Sequence, residues 1–202
     1  MIKSYFPTLI YQAPLEKKLS LSKQLLKECE IYRDLDEDGQ KWSTKNYLGG
    51  YTSYASINNL HHLSPTFAVL EKKLERHLKR FTKKLEMDLG GGRLQMSTCW
   101  INIMPAKTSH SLHLHPLSVL SGTYYLATPP GSSALKFEDP RLSKFMAAPP
   151  KTESAQAINQ RFINVQPKAG ELILFESWLR HEVPANLSQK PRVSISFNYE
   201  WV

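Results

Sequence analysis

A change of hydrophobic period at Gly90-Gly91-Gly92 constrains the fold more than any other feature of the sequence. Before it, Phe67, Leu70, Leu74, Leu78, Phe81 and Leu85 recur every three or four residues behind the helix-start pair Ser64-Pro65, so a long amphipathic helix is predicted there. An earlier run over residues 15 to 32, carrying Leu15, Leu19, Leu25, Leu26 and Cys29, predicts a first helix. After the glycines come short apolar or alternating runs bounded by Pro, Gly or Ser: Leu94 to Met104, Val119 to Ala127, Ala134 to Glu138, Phe162 to Val165, Glu171 to Phe175 and Arg192 to Trp201. Helices first and strands afterwards imply an α+β chain whose second half is a β-sandwich or barrel. Residues 34 to 54, rich in Gly, Ser, Asp and Tyr, read as a loop with a short strand at its end, and 139 to 161, with Pro140, Pro149 and Pro150, as a loop insertion. A length of 202 residues suits one domain, with 1–92 as helical support and 93–202 as the β core.

Charge and cysteine content narrow the partners. Much of the formal net charge of +8 sits on Lys72, Lys73, Arg76, Lys79, Arg80, Lys83 and Lys84, opposite the apolar stripe of the second helix. A solvated helix face explains it and speaks against nucleic acid as the partner. Two cysteines far apart in sequence, Cys29 and Cys99, make no disulfide framework and are expected as free buried thiols. No stretch nears the roughly 18 apolar residues of a spanning helix, and the start lacks a signal-peptide run, so a soluble cytoplasmic protein is expected.

The chemistry concentrates in His110-Ser111-Leu112-His113-Leu114-His115-Pro116. Side chains two apart on a strand share a face, so His113 and His115 can converge on one ion, with His110 pointing elsewhere or lying in the preceding loop. His181, which follows the strand-like Glu171-Leu172-Ile173-Leu174-Phe175 after a short turn, is the candidate third ligand. Imidazole suits Zn, Fe, Cu and Ni. Eleven residues on, Arg192, Ser194, Ser196 and Asn198 alternate with Val193, Ile195 and Phe197. A polar strand face that begins with arginine inside a barrel calls for a carboxylate, supplied by a ligand or by the protein.

These segments, with Ser121-Gly122-Thr123-Tyr124-Tyr125-Leu126, Phe137-Glu138-Asp139-Pro140 and Pro167-Lys168-Ala169-Gly170, resemble the 2-oxoglutarate/Fe(II)-dependent oxygenase superfamily, and in particular its small bacterial and phage branch. The resemblance covers residues 97 to 200 well and the amino-terminal half loosely. It implies a double-stranded β-helix, or jelly-roll, barrel with two amino-terminal packing helices. It also implies Fe(II) as metal, 2-oxoglutarate as co-substrate, dioxygen as oxidant, and hydroxylation of a small molecule or peptide. Residue by residue, the superfamily's H-x-[D/E] strand falls on His113 and His115, its distal histidine on His181, and its R-x-S anchor for the far carboxylate on Arg192 and Ser194. Tyr125 is the matching tyrosine contact, Ser121 shares its strand face, and Asn102 lies on a strand that commonly lines the co-substrate pocket. No catalytic residue beyond the metal ligands is implied.

One position departs from the pattern: His115 stands where a carboxylate is usual, which leaves the site one unit more positive. Glu138 or Asp139 is an alternative source of that carboxylate. The residues also admit a three-histidine cupin-type dioxygenase, or a metal-binding protein that does not use 2-oxoglutarate. Trp178 either shapes the pocket or packs on the barrel. His61-His62 are expected in a solvated turn and His77 on the basic helix face.

Overall fold

The computed structural model describes residues 1–16 and 18–202. Strands β1 (Ile10–Pro14), β2 (Tyr51–Thr52), β3 (Leu94–Met104), β5 (Leu120–Ala127), β8 (Glu171–Glu176) and β10 (Arg192–Trp201) form a six-stranded sheet in the order β1-β8-β5-β10-β3-β2. Strands β4 (His110–His113), β6 (Leu135–Glu138), β7 (Phe162–Val165) and β9 (His181–Val183) form a four-stranded sheet in the order β4-β9-β6-β7. Every pairing between these strands is antiparallel. Strands that are distant in sequence lie side by side in both sheets, as expected of a jelly roll.

Alternation along β10 positions the site. Val193, Ile195 and Phe197 point to one side, into a core shared with the helices α1 (Ser20–Leu35) and α4 (Pro65–Lys84). Arg192, Ser194 and Ser196 point to the other, into the space between the sheets. A second apolar cluster fills part of that space, with Met104, Tyr125, Ile173 and Phe175 from the large sheet facing Leu135, Phe137 and Val183 from the small one.

Helix α4 starts where Ser64 and Pro65 predict. The Ser64 hydroxyl accepts from the amides of Thr66 and Phe67 at 3.1 and 3.4 Å and donates to Glu28 at 2.5 Å. Burial of Phe67, Leu70, Leu74, Leu78 and Phe81, each contributing about 2 kcal/mol, fixes α4 on the large sheet. The segment expected as one long loop contains a helix, α2 (Glu37–Asn46), before strand β2. Its apolar stripe is too thin to announce it; Asp36 caps it, accepting from the Gly39 amide at 2.9 Å and binding the hydroxyls of Tyr51 and Ser56. The amino-terminal region supplies two strands of the large sheet as well as helices, since β1 pairs with β8 and β2 with β3. Residues 139 to 161 form a loop with 3₁₀ turns at Leu142–Lys144 and Ala157–Asn159.

Two histidine expectations are corrected. His77 is 2% exposed on the buried face of α4, because it lies three residues after Leu74 and four before Phe81. Its Nδ1 bonds the Tyr11 hydroxyl at 2.8 Å and its Nε2 accepts from Arg76 at 3.0 Å. His61 is likewise buried, in the short helix α3 (Leu60–Leu63), while His62 is exposed. Cys29 and Cys99 are free and buried, as expected. Among the described residues no helix is long and apolar enough to cross a membrane.

Candidate metal centre

His113 and His181 are directly paired across β4 and β9, so their side chains rise from adjacent positions on one face of the small sheet. His115 arrives differently from the strand alternation predicted. Strand β4 ends at His113, and His115 lies in the following turn, where its amide donates to the Ser177 carbonyl at 3.0 Å. The turn that leads into His181 therefore also holds His115. One ligand atom from each of the three rings lies within 4.8 Å of the others, and among the described residues this is the one such group of His, Cys, Asp or Glu side chains.

Hydrogen bonding fixes which ring nitrogens face inward. His113 Nδ1 donates to the Ser111 carbonyl at 2.7 Å and His181 Nδ1 to the Leu179 carbonyl at 2.9 Å, so each Nε2 carries a lone pair. His115 and His181 have rings parallel to within 2°, with their Nε2 atoms 3.3 Å apart. Burial, followed by the neighbouring histidines, lowers the pKa of His115 to about 4 and that of His181 to about 2; His113 is lowered by burial too. All three rings are thus neutral at pH 7 and ready to ligate. Two imidazoles anchored to backbone carbonyls and a third, His115, beside them fit a divalent transition metal, with no carboxylate in the ligand set. Glu138 pairs with Arg180 at 2.9 Å and Asp139 with Arg141 at 2.9 Å, so the structure does not bring either to the histidines.

A narrow cleft, partly open to solvent, extends from the histidines between the sheets. Arg192 lies within it, 2% exposed. Its Nη1 contacts Met104 Sδ at 3.2 Å, its Nη2 reaches the Tyr125 hydroxyl at 3.4 Å, and its guanidinium sits 4.9 Å from the Tyr125 ring centre. Arg192 Nε has no partner, and among the described residues no carboxylate comes within ion-pair distance of the side chain. A buried cation without a counter-ion costs several kcal/mol, which an anion entering the cleft would offset.

Ser194 and Asn102 line the same cleft. Asn102 Nδ2 donates to Ser196 Oγ at 3.0 Å, leaving Oδ1 unpaired; exchanging the amide ends lets Ser196 donate instead and turns the NH₂ into the cleft. Ser121 is buried and does not line the cleft; it bonds Ser177 and Asn198 at 2.7 and 2.8 Å. Trp178 is exposed beside the turn and does not line the cleft. Phe137 and Phe175 pack on the His181 ring, with centres 5.8 and 4.6 Å away, and shield its inner side from water.

Among the residues of the cleft that sequence patterning misses are His110 and Tyr47. His110 lines it, stacked 4.3 Å from His113, because a register shift between His110 and His113 cancels the alternation that would turn it away. Its pKa is lowered to about 3, by burial and then by the neighbouring histidines and Arg192. Tyr47, from the segment read as a loop, enters from the end of α2 and packs edge-on against His110 at 5.5 Å.

Residues 98–198, half of the chain, match the family described as "Putative 2OG-Fe(II) oxygenase". No curated protein matches by sequence. Among solved structures, the chain is similar to the non-haem α-ketoglutarate-dependent epimerase SnoN from nogalamycin biosynthesis, with 15% identity, TM-score 0.66, and coverage of 96% of this chain and 76% of that one. It is also similar to a Pseudomonas putida prolyl-4-hydroxylase, with 17% identity, TM-score 0.62, and coverage of 96% and 92%. A third is HygX from Streptomyces hygroscopicus, solved with nickel and 2-oxoglutarate bound, with 14% identity, TM-score 0.63, and coverage of 96% and 82%. At these identities the likeness shows a common fold.

Proposed function

The chain belongs to the 2OG-Fe(II) oxygenase family, and from that premise we propose that it oxidises a small molecule or peptide with Fe(II) held by His113, His115 and His181 and 2-oxoglutarate anchored at Arg192. The buried guanidinium without a protein carboxylate carries this reading, because it stands in the same cleft as the three histidines and lacks only an anion. When bound, Fe(II) and 2-oxoglutarate would couple keto-acid decarboxylation and dioxygen reduction to oxidation of the substrate.

The chain's own residues supply position and environment. His113, His115 and His181 would hold the ion through three neutral imidazoles, which would leave its dipositive charge unoffset and so favour the keto-acid end of the co-substrate. At the far end Arg192 would grip the distal carboxylate in a charge-assisted pair, with Ser194 and Tyr125 adding hydroxyl donors. Asn102, with its amide turned inward, would give a further donor along the way. Phe137 and Phe175 keep water from the inner side of His181, so that the pair of anchors acts in a low-dielectric space. We read the whole chain as one unit, since β1 and β2 complete the sheet that carries Arg192. Its two free buried thiols suit a reducing compartment such as the cytoplasm.

Anaerobic titration of the Fe(II)-loaded protein with 2-oxoglutarate tests the assignment of the anchor. The native chain should bind it and Arg192→Gln should lose at least about a hundredfold in affinity. Equal affinity in the two would instead favour a three-histidine oxygenase that does not use this co-substrate.

A further inference from the structure

Tyr47 is 4% exposed, lines the cleft that holds Arg192, and its hydroxyl has no hydrogen-bond partner. A buried phenol without a partner costs about 1–3 kcal/mol, so something outside the chain is its natural complement. The ring is packed where it stands. Its backbone amide donates to Ser43 and its carbonyl accepts from Gly50, closing the end of α2. Its edge meets the His110 ring. At Gly50 a Cβ would lie 2.7 Å from the Tyr47 ring and 2.8 Å from Thr108 Cγ2, so glycine there leaves room for the ring where it stands.

Two of the unmet groups nearby are donors. Tyr47 O–H and Arg192 Nε–H are both donors, and both lack an acceptor. Two unmet donors in one cleft, one of them cationic, specify an anionic acceptor. We infer that Tyr47 is a further contact of the co-substrate, its hydroxyl donating to the same distal carboxylate that Arg192 holds. The α2–β2 segment, which lies outside residues 98–198 of the family match, thereby becomes part of the acid cradle. Burial raises the Tyr47 pKa against the opposing pull of Arg192, so the phenol keeps its proton to donate.

This inference rests on the proposed reading of the cleft, and the test separates the two. The metal-loaded full chain is titrated anaerobically with 2-oxoglutarate and with 2-oxobutyrate, which has the same keto-acid end and no far carboxylate. Tyr47→Phe should weaken 2-oxoglutarate by about tenfold or more, leave 2-oxobutyrate and metal affinity unchanged, and match or exceed the native unfolding temperature, since it removes only an unpaired buried hydroxyl. Gly50→Ala, which crowds the ring, should weaken 2-oxoglutarate in the same selective way. If the native chain binds 2-oxoglutarate, Arg192→Gln loses it, and Tyr47→Phe stays within twofold of native, the role of Tyr47 is overturned and the reading of the cleft stands. Equal weakening of both acids by Tyr47→Phe also overturns it. If the native chain binds 2-oxoglutarate no better than Arg192→Gln does, the reading of the cleft fails and the role of Tyr47 fails with it.

Discussion

His115 and His181 stand with parallel rings and their Nε2 atoms 3.3 Å apart, although one projects from a turn and the other from a strand. The Leu179 carbonyl commits His181 Nδ1 as a donor, so the inward Nε2 offers a lone pair that one proton or one cation must satisfy. His115→Ala should therefore lower divalent-metal affinity by about a hundredfold. The metal-free variant should unfold within a few degrees of the native chain, because His115 is only partly buried and lies in a turn. Calorimetric metal titration beside thermal unfolding checks both.

Arg192→Met should raise the stability of the ligand-free protein while removing 2-oxoglutarate binding. Methionine nearly matches the buried volume and needs no counter-ion, so a gain of about 1–4 kcal/mol is expected. Urea unfolding measures it. A loss of stability would mean that the contacts of Arg192 with Tyr125 and Met104 outweigh the cost of burying its charge.

Mild acid should destabilise the fold. His77 has its pKa lowered to about 4 by burial and then by Arg76 and Arg80; His61 is lowered to about 4 by burial and then by His62. Between pH 6.5 and about 4 the unfolded chain thus binds more protons than the folded one, so stability rises with pH across that window and is flat with respect to these groups above it. Protonation of His77 would also break the hydrogen bond from Arg76 to its Nε2. Unfolding temperatures from pH 7 down to pH 4.5 should fall, and His77→Gln should show a shallower fall.

Gly122→Ala should be among the most damaging single-methyl changes. A Cβ there would lie 2.5 Å from the Phe197 ring, 2.6 Å from Leu174 Cδ2 and 2.8 Å from the Ile173 carbonyl, in the middle of the large sheet. Overpacking of this kind costs about 1–3 kcal/mol or more. Equilibrium urea unfolding against the native chain measures the loss.

What the sequence announces is what local patterning controls. The period change at Gly90-Gly91-Gly92 separates α4 from the barrel strands, and strict alternation from Arg192 to Phe197 sorts cleft from core. Residues that reach the cleft through tertiary constraint escape such a reading. His110 owes its place to a shifted register, and Tyr47 to a helix whose sequence carries little apolar stripe. His77 escapes it for a different reason: neighbouring lysines and arginines mask its spacing from Leu74 and Phe81, although spacing decides burial on a helix.

One measurement bears most directly on the central claim that the three histidines and Arg192 form one working site. Fe(II) is added anaerobically to the metal-free protein, then 2-oxoglutarate, and the visible charge-transfer absorption of a keto acid chelated to iron is recorded before air is admitted and succinate is assayed. One equivalent of Fe(II) should suffice for the absorption to appear, it should be absent in His181→Ala and require far more 2-oxoglutarate in Arg192→Gln, and succinate should follow on exposure to air. Absorption and succinate that persist unchanged in both variants, or that never appear in the native chain, would contradict the claim.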